Sequence, residues 1–403
     1  MKYVIVLCDG MADEPIADLG NKTPLEYADT PNFDRLAKNA EIGLAHTIPE
    51  GMNPGSDTAN LAVLGYNPRQ YYSGRSPLEA LSIGVAMEDT DIAVRCNIVT
   101  LEEADVPFED LKILDHSSGE ISTEDCAVLL NAVAKELAND RFSFYVGTSY
   151  RHCLIDKKGS VIDLTPPHDI LTKRIGDYLP KDPLYLDMMK RSYEILKDHP
   201  INIERKKKGL NPANCCWFWG AGTKPMLDPF NKKTGFNGAM ISAVDLLKGI
   251  AVGADMKVVK VEGANGGLET NYEGKCDAAF NELMDPDIDF VYIHIEAPDE
   301  MGHQGSYERK IKAIENIDKR IVGPLCKKLN DAGIDFRMMI LPDHPTPVRL
   351  RTHTPNPIPY MIFDSTKDCG QNGEYSEKFA KTTGIDIANG YTLINRLLCK
   401  DGE

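Results

Sequence analysis

Tyr3-Val4-Ile5-Val6-Leu7-Cys8-Asp9-Gly10 lies close to the start of the chain. Its continuous apolar, largely β-branched run is typical of a strand buried on both faces of a parallel sheet. The run ends at Asp9, and in open α/β sheets functional groups lie at the carboxyl edge of the strands. We therefore expect a central strand that presents the Asp9 carboxylate to a site at this edge.

Two later runs repeat this arrangement. Phe290–Ile295 and Phe336–Leu341 are predicted to be buried strands, and the sequence between them predicts a long helix over 307–329. Strands that alternate with helices in this way indicate βαβ units. The sequence therefore predicts an α/β fold with a doubly wound, mostly parallel sheet.

The pattern changes in the middle of the chain. From residue 89 it predicts a compact α+β module, with strands at 91–100, 142–146 and 153–155 and a helix at 123–138. Residues 217–219 with the following Gly220-Ala221-Gly222 are interpreted as the crossing back to the first domain, and a helix is expected over 238–250. We predict a discontinuous catalytic domain of residues 1–88 and 214–403, interrupted by an inserted domain of residues 89–213.

The bulk composition limits the classes of partner. The 403 residues carry a formal net charge of −16, which argues against nucleic acid or anionic membranes as general partners. A small anionic substrate would need a local basic pocket. The first apolar run is too short for a signal peptide, no later run is long enough to span a bilayer, and the ten cysteines show no C-x-x-C pair. A cytoplasmic protein with reduced thiols is expected.

Pro54-Gly55-Ser56-Asp57-Thr58-Ala59-Asn60 has the form of a loop that opens a helix. A hydroxyl at this position lies beside backbone N–H groups that have no partner in the helix, which suits a nucleophile that attacks phosphate. The alternative is an ordinary helix N-cap. Ser56 is our candidate nucleophile.

Each late strand is followed by residues that bind metals. Asp299 and His303 are four apart, so a helical turn would place them on one face. Asp343-His344 follows the last strand, and His353 comes nine residues later. Carboxylate and imidazole together suit manganese, zinc, cobalt or iron better than calcium. Each residue taken singly could instead be a turn residue or a hydrogen-bonded surface histidine.

The combined motifs resemble those of the cofactor-independent phosphoglycerate mutases, within the alkaline phosphatase superfamily. The resemblance covers nearly the whole chain, and the wording of Pro-Gly-Ser-Asp-Thr-Ala-Asn-Leu and Glu-Ala-Pro-Asp-Glu-Met-Gly-His is closest to the archaeal-type branch. It implies an alkaline-phosphatase-like sheet with an inserted smaller domain. The motifs that carry it are Asp9-Gly10, residues 54–66, Asp299 with His303, Asp343-His344 and His353.

The resemblance also implies two divalent metal ions, with manganese favoured and zinc, cobalt or magnesium as alternatives. It assigns Asp299, His303 and His353 to one metal. It assigns Asp9, Ser56, Asp343 and His344 to the other. Ser56 would become phosphoserine and return the phosphate to the other hydroxyl of a retained glycerate. Lys275 matches a family lysine near the nucleophile loosely, and the alternative is a solvated helix lysine.

A mutase must also hold its glycerate between the two half-reactions, which requires cations for carboxylate and phosphate. In the family the inserted domain supplies them. Arg151 and His152 are the first candidates for this role, with His116 and Arg95 after them. The alternative for each is a surface salt bridge or a hydrogen bond in the core.

Three functions remain open from the sequence. The first is a glycolytic or gluconeogenic isomerase that interconverts 2-phosphoglycerate and 3-phosphoglycerate, its partner being a small phosphorylated hydroxy acid. The second is metal-dependent phosphate transfer to another small hydroxyl substrate, as in a homoserine kinase. The third is an inactive metal-binding regulatory module. The sequence does not decide the oligomeric state.

Overall fold

The computed structural model describes residues 1–368 and 371–399. Within these ranges the chain forms two compact units. The larger unit contains Met1–Tyr72 and the described residues from Met226 onward, and the smaller unit is Ser73–Pro225. The smaller unit is therefore an insertion in the sequence of the larger one.

Thirteen strands are present in the described residues. In chain order they are β1 (Lys2–Cys8), β2 (Glu41–Ala45), β3 (Ile92–Leu101), β4 (Ile113–Asp115), β5 (Phe142–Thr148), β6 (Arg151–Asp156), β7 (Cys215–Thr223), β8 (Gly238–Ile241), β9 (Lys257–Val259), β10 (Phe290–Ile295), β11 (Phe336–Leu341), β12 (Ile358–Asp364) and β13 (Asp386–Ile387).

The α-helices of the described residues are α1 (Pro24–Tyr27), α2 (Pro31–Ala37), α3 (Ser56–Val63), α4 (Pro68–Tyr71), α5 (Arg75–Ser82), α6 (Thr123–Leu137), α7 (Pro183–Leu196), α8 (Pro200–Lys207), α9 (Phe230–Thr234), α10 (Asp245–Gly253), α11 (Tyr272–Met284), α12 (Ala297–His303), α13 (Tyr307–Ile317), α14 (Gly323–Asp331), α15 (Glu377–Thr382) and α16 (Leu393–Leu397). A π-helical turn, Asp318–Val322, joins α13 to α14. No helix in the described part of the chain has both the length and the apolar character needed to cross a membrane.

The larger unit is built on a mixed, mostly parallel sheet of eight strands, in the order β13-β2-β12-β11-β1-β10-β8-β9. β1 pairs in parallel with both β10 and β11, and β8 pairs in parallel with β10 and β9. β12 is antiparallel to both of its neighbours. The predicted α/β class with a mostly parallel sheet is confirmed.

The parallel strands bring the functional segments together. β1, β10 and β11 are buried along nearly their whole length, as expected for strands covered on both faces. Because β11, β1, β10 and β8 are adjacent and parallel, the residues that follow them meet at one edge of the sheet. The segments that follow β1, β10 and β11 are those that carry the predicted metal ligands.

The smaller unit contains an antiparallel five-stranded sheet. β3 is buried throughout and pairs with β4, β6 and β7, while β5 extends the sheet beyond β6. One hydrophobic core lies between this sheet and the helices α6 and α7, whose Leu129, Val133 and Met189 are buried within it. The predicted α+β character of this region is confirmed.

Two local predictions are wrong. The helix expected over 238–250 begins only at Asp245. Residues 238–241 form strand β8, which lies between β10 and the edge strand β9. A short apolar run of four residues has no periodicity that separates strand from helix. Residues 217–219 do not cross back to the larger unit, because they lie within β7 and pair with β3.

The smaller unit extends beyond the expected limits of 89 and 213. Helix α5 belongs to it, since Ala80 shares a hydrophobic cluster with Ala93, Cys153 and Ile155. At the other end, β7 continues to Thr223 as a strand of the antiparallel sheet. Both segments therefore fold with the insertion.

Candidate metal centre and nucleophile

Ser56 is the first residue of α3, preceded by Gly55 in an extended conformation. The first N–H groups of a helix have no carbonyl partner within it, so the Ser56 side chain lies beside such donors, of which the Thr58 N–H donates to Asp57 Oδ1 at 2.8 Å. Its hydroxyl oxygen lies 3.1 Å from His344 Nε2. The nucleophile candidate is thus in contact with a candidate metal ligand that follows a different strand.

Asp9, Asp343 and His344 form one group of potential ligands, and all three are buried. Each offers one ligand atom, and these atoms lie within 4.8 Å of one another. His344 Nε2 is 3.7 Å from Asp9 Oδ1 and 3.4 Å from Asp343 Oδ2. With Ser56, the structure brings together the four residues assigned above to one metal.

Asp299, His344 and His353 form a second group. Asp299 and His303 occupy one face of α12, as the i, i+4 spacing predicted, with 3.2 Å between Asp299 Oδ2 and His303 Nε2. His353 Nε2 lies 3.4 Å from Asp299 Oδ1 and 2.9 Å from His303 Nε2. His344, whose ring stacks on that of His353, thus stands between the two groups rather than in one alone.

Gly10 permits the close approach of these groups. It has a φ of +60°, and a Cβ at this position would lie 2.5 Å from both Asp299 Oδ1 and Thr346 Oγ1. Any side chain there would be strained and would also push Asp299 away from the end of β1. The Asp9-Gly10 pair therefore combines a candidate ligand with the space beside it.

Burial and neighbouring charges shift the pKa values of the clustered side chains in different directions. Burial, followed by the nearby carboxylates of Asp343 and Asp299, raises the pKa of Asp9 well above its usual range. Burial opposes ionisation of Asp299 as well, but hydrogen bonds from His303 and His353 hold the pKa of that carboxyl well below its usual range. The hydrogen bond to Asp299 raises the pKa of His303 to about 9.

The donor set fits divalent cations. Three carboxylates and three imidazoles share one edge of the sheet, and Asp9 Oδ1 is buried without a hydrogen-bond partner in the described residues. Buried carboxylates in such proximity are stable when paired with cations. Mixed carboxylate and imidazole donors are typical of transition-metal and zinc sites.

Several supporting residues were missed in the sequence. Asn60 Nδ2 donates to the Ser56 carbonyl at 2.8 Å and to Asp343 Oδ2 at 2.9 Å, while its Oδ1 accepts from the Tyr292 hydroxyl. Thr346 donates its hydroxyl to Asp299 Oδ1. Asn60 lies one helical turn after Ser56, and this spacing could have shown that its side chain is near the nucleophile.

Lys275 lies in α11 and its side chain is fully buried, which excludes the solvated-lysine alternative. Its Nζ donates to the carbonyl of His294 at 3.0 Å, and burial lowers its pKa to about 8. Burial also lowers the pKa of His294 to about 3, so that histidine is neutral near pH 7. Lys275 therefore contacts the strand β10 next to the metal-ligand cluster.

In the smaller unit, three of the four candidate substrate-binding residues share a basic, aromatic cluster. Arg95 is 8% exposed, pairs with Glu79 at 2.9 Å and lies 4.0 Å from the centre of the Trp219 ring. Arg151 lies over the ring of Tyr150, and the His116 ring meets the same tyrosine edge-on. His116 Nδ1 is buried and has no hydrogen-bond partner in the described residues.

His152 does not join this cluster. Its Nδ1 accepts the Gly147 N–H, its Nε2 lies 3.0 Å from Cys126 Sγ, and burial lowers its pKa to about 4. Successive residues of a strand point to opposite faces, so Arg151 and His152 lie on opposite faces of β6. The contacts of His152 match its alternative, a hydrogen bond in the core, and its role in substrate binding stays a prediction.

Other members of the cluster were not anticipated from the sequence. Trp219 and His168 contact each other, and Trp219 Nε1 also donates to Asn97 Oδ1 at 3.1 Å. Arg75 makes an ion pair with the same Glu79 that binds Arg95. Trp219 lies opposite Arg95 in the pairing of β7 with β3. Because residues 217–219 were not predicted to form a strand, this neighbour was missed.

The chain is similar to known proteins over its full length. Residues 37–202 match the family model of 2,3-bisphosphoglycerate-independent phosphoglycerate mutase. A protein of that name from Methanosarcina barkeri is 46% identical over 404 residues, which cover 99% of each chain.

Two solved structures are also similar. The PH0037 protein from Pyrococcus horikoshii is 27% identical, with a TM-score of 0.82 over 100% of this chain and 98% of that one. The cofactor-independent phosphoglycerate mutase from Thermoplasma acidophilum is also 27% identical, with a TM-score of 0.65 over 100% of both chains. Together with the full-length identity to the M. barkeri protein, this shows that the chain belongs to the family of 2,3-bisphosphoglycerate-independent phosphoglycerate mutases.

Proposed function

We propose that this protein is a cytoplasmic phosphoglycerate mutase that interconverts 2-phosphoglycerate and 3-phosphoglycerate through phosphoserine at Ser56. The observation that carries the proposal is the position of the Ser56 hydroxyl, at the start of α3 and 3.1 Å from His344 in a cluster of carboxylates and imidazoles. The full-length similarity to named mutases supports the same reaction.

The residues that would hold two metals are those of the two ligand groups. Asp299, His303 and His353 would bind one ion, and Asp9, Ser56, Asp343 and His344 would bind the other. Bound divalent ions supply positive charge that lowers the pKa of a serine hydroxyl and offsets the charge of a transferring phosphoryl group. We propose manganese as the metal, since its preference for oxygen ligands suits a cluster that contains three carboxylates.

Ser56 carries out the covalent chemistry. Its Oγ loses its proton and attacks the phosphorus, the bond from phosphorus to the C3 oxygen breaks, and that oxygen takes up one proton to become a hydroxyl. The C2 hydroxyl of the retained glycerate then loses its proton and attacks phosphoserine, and the Ser56 Oγ takes up one proton as its bond to phosphorus breaks. The backbone N–H groups of Ser56 and Asp57, at the start of α3, would donate to the phosphoryl oxygens during both transfers.

The smaller unit supplies the groups that hold the glycerate between the two transfers. Arg95, Arg151 and His116 provide donors for carboxylate or phosphate oxygens, in a chain that is strongly acidic overall. Glu79 and Trp219 fix the guanidinium of Arg95 from two directions. Retention of glycerate by these groups would favour transfer to its other hydroxyl over loss to water.

The test is a coupled assay of the purified protein with 3-phosphoglycerate and manganese, which we expect to give 2-phosphoglycerate. Ser56→Ala should abolish turnover, whereas Ser160→Ala, at an exposed loop position, should not change it. A parallel reaction with ATP and homoserine tests the kinase alternative. Turnover only in the second reaction, or none by the metal-loaded protein in either, would contradict the proposal.

A further inference from the structure

His294 has no role in the reaction described above, although it touches a proposed metal ligand. It lies in β10, fully buried, and its Nε2 is 2.8 Å from Asp9 Oδ2. Its Nδ1 is 3.2 Å from the hydroxyl of Ser242, which directly follows β8. Hydrogen bonds thus link the side chains of Ser242, His294 and Asp9 across the carboxyl ends of β8, β10 and β1, which are adjacent in the sheet.

The direction of these hydrogen bonds follows from the backbone. Ser242 Oγ accepts the Val244 N–H at 3.0 Å. Its own proton needs an acceptor because the side chain is buried, and His294 Nδ1 is the acceptor available to it within the described residues. Nδ1 is therefore unprotonated, the proton of the neutral ring is on Nε2, and Nε2 donates to Asp9 Oδ2.

The two carboxylate oxygens of Asp9 therefore differ in their hydrogen bonds. Oδ2 is occupied by His294, whereas Oδ1 is buried, has no hydrogen-bond partner in the described residues and faces His344 at 3.7 Å. The Asp9 backbone is fixed as well, since its N–H donates to the Ile295 carbonyl at 3.0 Å. Asp9 thus has one oxygen left for a cation.

We propose that His294 is a positioning residue, held in a single tautomer by Ser242, that fixes the Asp9 carboxylate so that only Oδ1 is presented to the metal site. Residues that orient metal ligands in this way contribute to affinity without touching the metal. Without the donor, Asp9 would be free to turn away from the carboxylates of Asp343 and Asp299, which repel it.

The inference rests on the proposed metal site, and a pair of substitutions tests it. His294→Gln keeps an N–H donor near the position of Nε2, whereas His294→Asn keeps a polar group only near Nδ1, on the Ser242 side. Both place an uncharged amide in the same buried position. Ser242→Ala removes the hydroxyl that fixes the tautomer, and Thr234→Val removes a buried hydroxyl from the preceding helix α9 as a control for stability.

The measurement is calorimetric titration of metal-free protein with Mn²⁺ alone, together with thermal unfolding without metal. We expect His294→Asn to weaken one of two binding events by about 10- to 100-fold, as is typical for residues that orient a ligand. The Mn²⁺ affinity of His294→Gln should be close to that of the unaltered chain. The affinity of Ser242→Ala should lie between those of His294→Asn and His294→Gln, and Thr234→Val should leave Mn²⁺ binding unchanged.

Equal Mn²⁺ affinities for His294→Asn and His294→Gln would overturn the positioning role, even if both variants unfold at a lower temperature. If His294→Asn does not fold, Ser242→Ala decides, and unaltered affinity in that variant would overturn the proposal. Failure of the unaltered protein to bind Mn²⁺ would contradict the metal site itself and the positioning role with it. Normal Mn²⁺ binding by the unaltered chain, with weaker binding by His294→Asn than by His294→Gln, would support both the metal site and the positioning role of His294.

Discussion

Lys310→Met should destabilise the larger unit by breaking a buried ion pair. Lys310 is fully buried in α13, and its Nζ lies 2.7 Å from Asp13 Oδ2. The same Nζ donates to the carbonyls of Ala12 and Thr346. Lys310 therefore joins the segment after β1, which carries Asp9, to the segment after β11, which carries three of the proposed metal-binding histidines and carboxylates.

The size of the expected loss in unfolding free energy follows from the burial of Lys310 and Asp13. The methionine would leave the Asp13 carboxylate without its cation and two buried carbonyls without a donor, since Asp13 is left only with backbone donors such as the Val348 N–H. Removal of one partner from a buried ion pair typically costs about 3–5 kcal/mol. Asp13→Asn should also destabilise, because it leaves the ammonium of Lys310 buried without its counter-charge.

The assay is urea unfolding of metal-free protein followed by far-UV circular dichroism, for both single variants and the double variant. The double variant buries no unpaired charge. We therefore expect its loss of unfolding free energy to be about 2 kcal/mol smaller than the sum of the losses in the two single variants. Lys319→Met is the matched control, since Lys319 pairs with Asp29 at the surface and should show no measurable loss. Additive losses for Lys310→Met and Asp13→Asn would refute the reasoning.

Three further predictions concern the two units. The pKa of His152 is about 4 in the folded protein, against about 6.5 in the unfolded chain. Because the unfolded state therefore binds more protons between these values, the free energy of unfolding should fall as the pH decreases from 6.5 towards 4, by up to about 3 kcal/mol. Both tryptophans lie in the smaller unit, so unfolding detected by tryptophan fluorescence should show this loss of stability. His152→Gln should reduce the loss. An equal loss in the unaltered protein and in His152→Gln would contradict the assignment of the pH dependence to His152. Arg151→Met should raise the KM for phosphoglycerate about 10- to 100-fold through the loss of a charged hydrogen bond, and Trp219→Leu should raise it less; an unchanged KM in Arg151→Met would exclude that arginine from the substrate site. Removal of metal with a chelator should abolish activity and lower the unfolding temperature of the larger unit, because a ligand that binds only the native state stabilises it; full activity in the chelated protein would contradict the metal requirement.

The sequence predicts the carboxyl edge of the sheet well for a physical reason. Tyr3 to Cys8 is apolar without interruption, and Phe290–Ile295 is interrupted only by His294. Their length of six residues and their β-branched side chains favour buried parallel strands over helices. Once the strands are placed, parallel pairing brings Asp9 and Asp343 together, and the helical period brings Asp299 to His303.

Side-chain direction and short segments were harder to predict. β8 is too short to show a period, so its apolar residues were merged with the following helix, and Ser242 was not recognised at a strand end. His294 lies inside an apolar run, where a histidine gives no local indication of its partner. His344 was assigned to one metal, but only the folded positions of Asp299 and His353 show that it borders both groups.

The most direct test of the account is identification of the phosphorylated residue. Metal-loaded protein is mixed with 3-phosphoglycerate, quenched in acid within a turnover, digested and analysed by mass spectrometry. We predict a phosphoryl group on the peptide that contains Ser56, located on that serine and absent from Ser56→Ala. Turnover of the unaltered protein without a phosphopeptide, or phosphorylation and turnover that persist in Ser56→Ala, would contradict the proposal that Ser56 is the nucleophile.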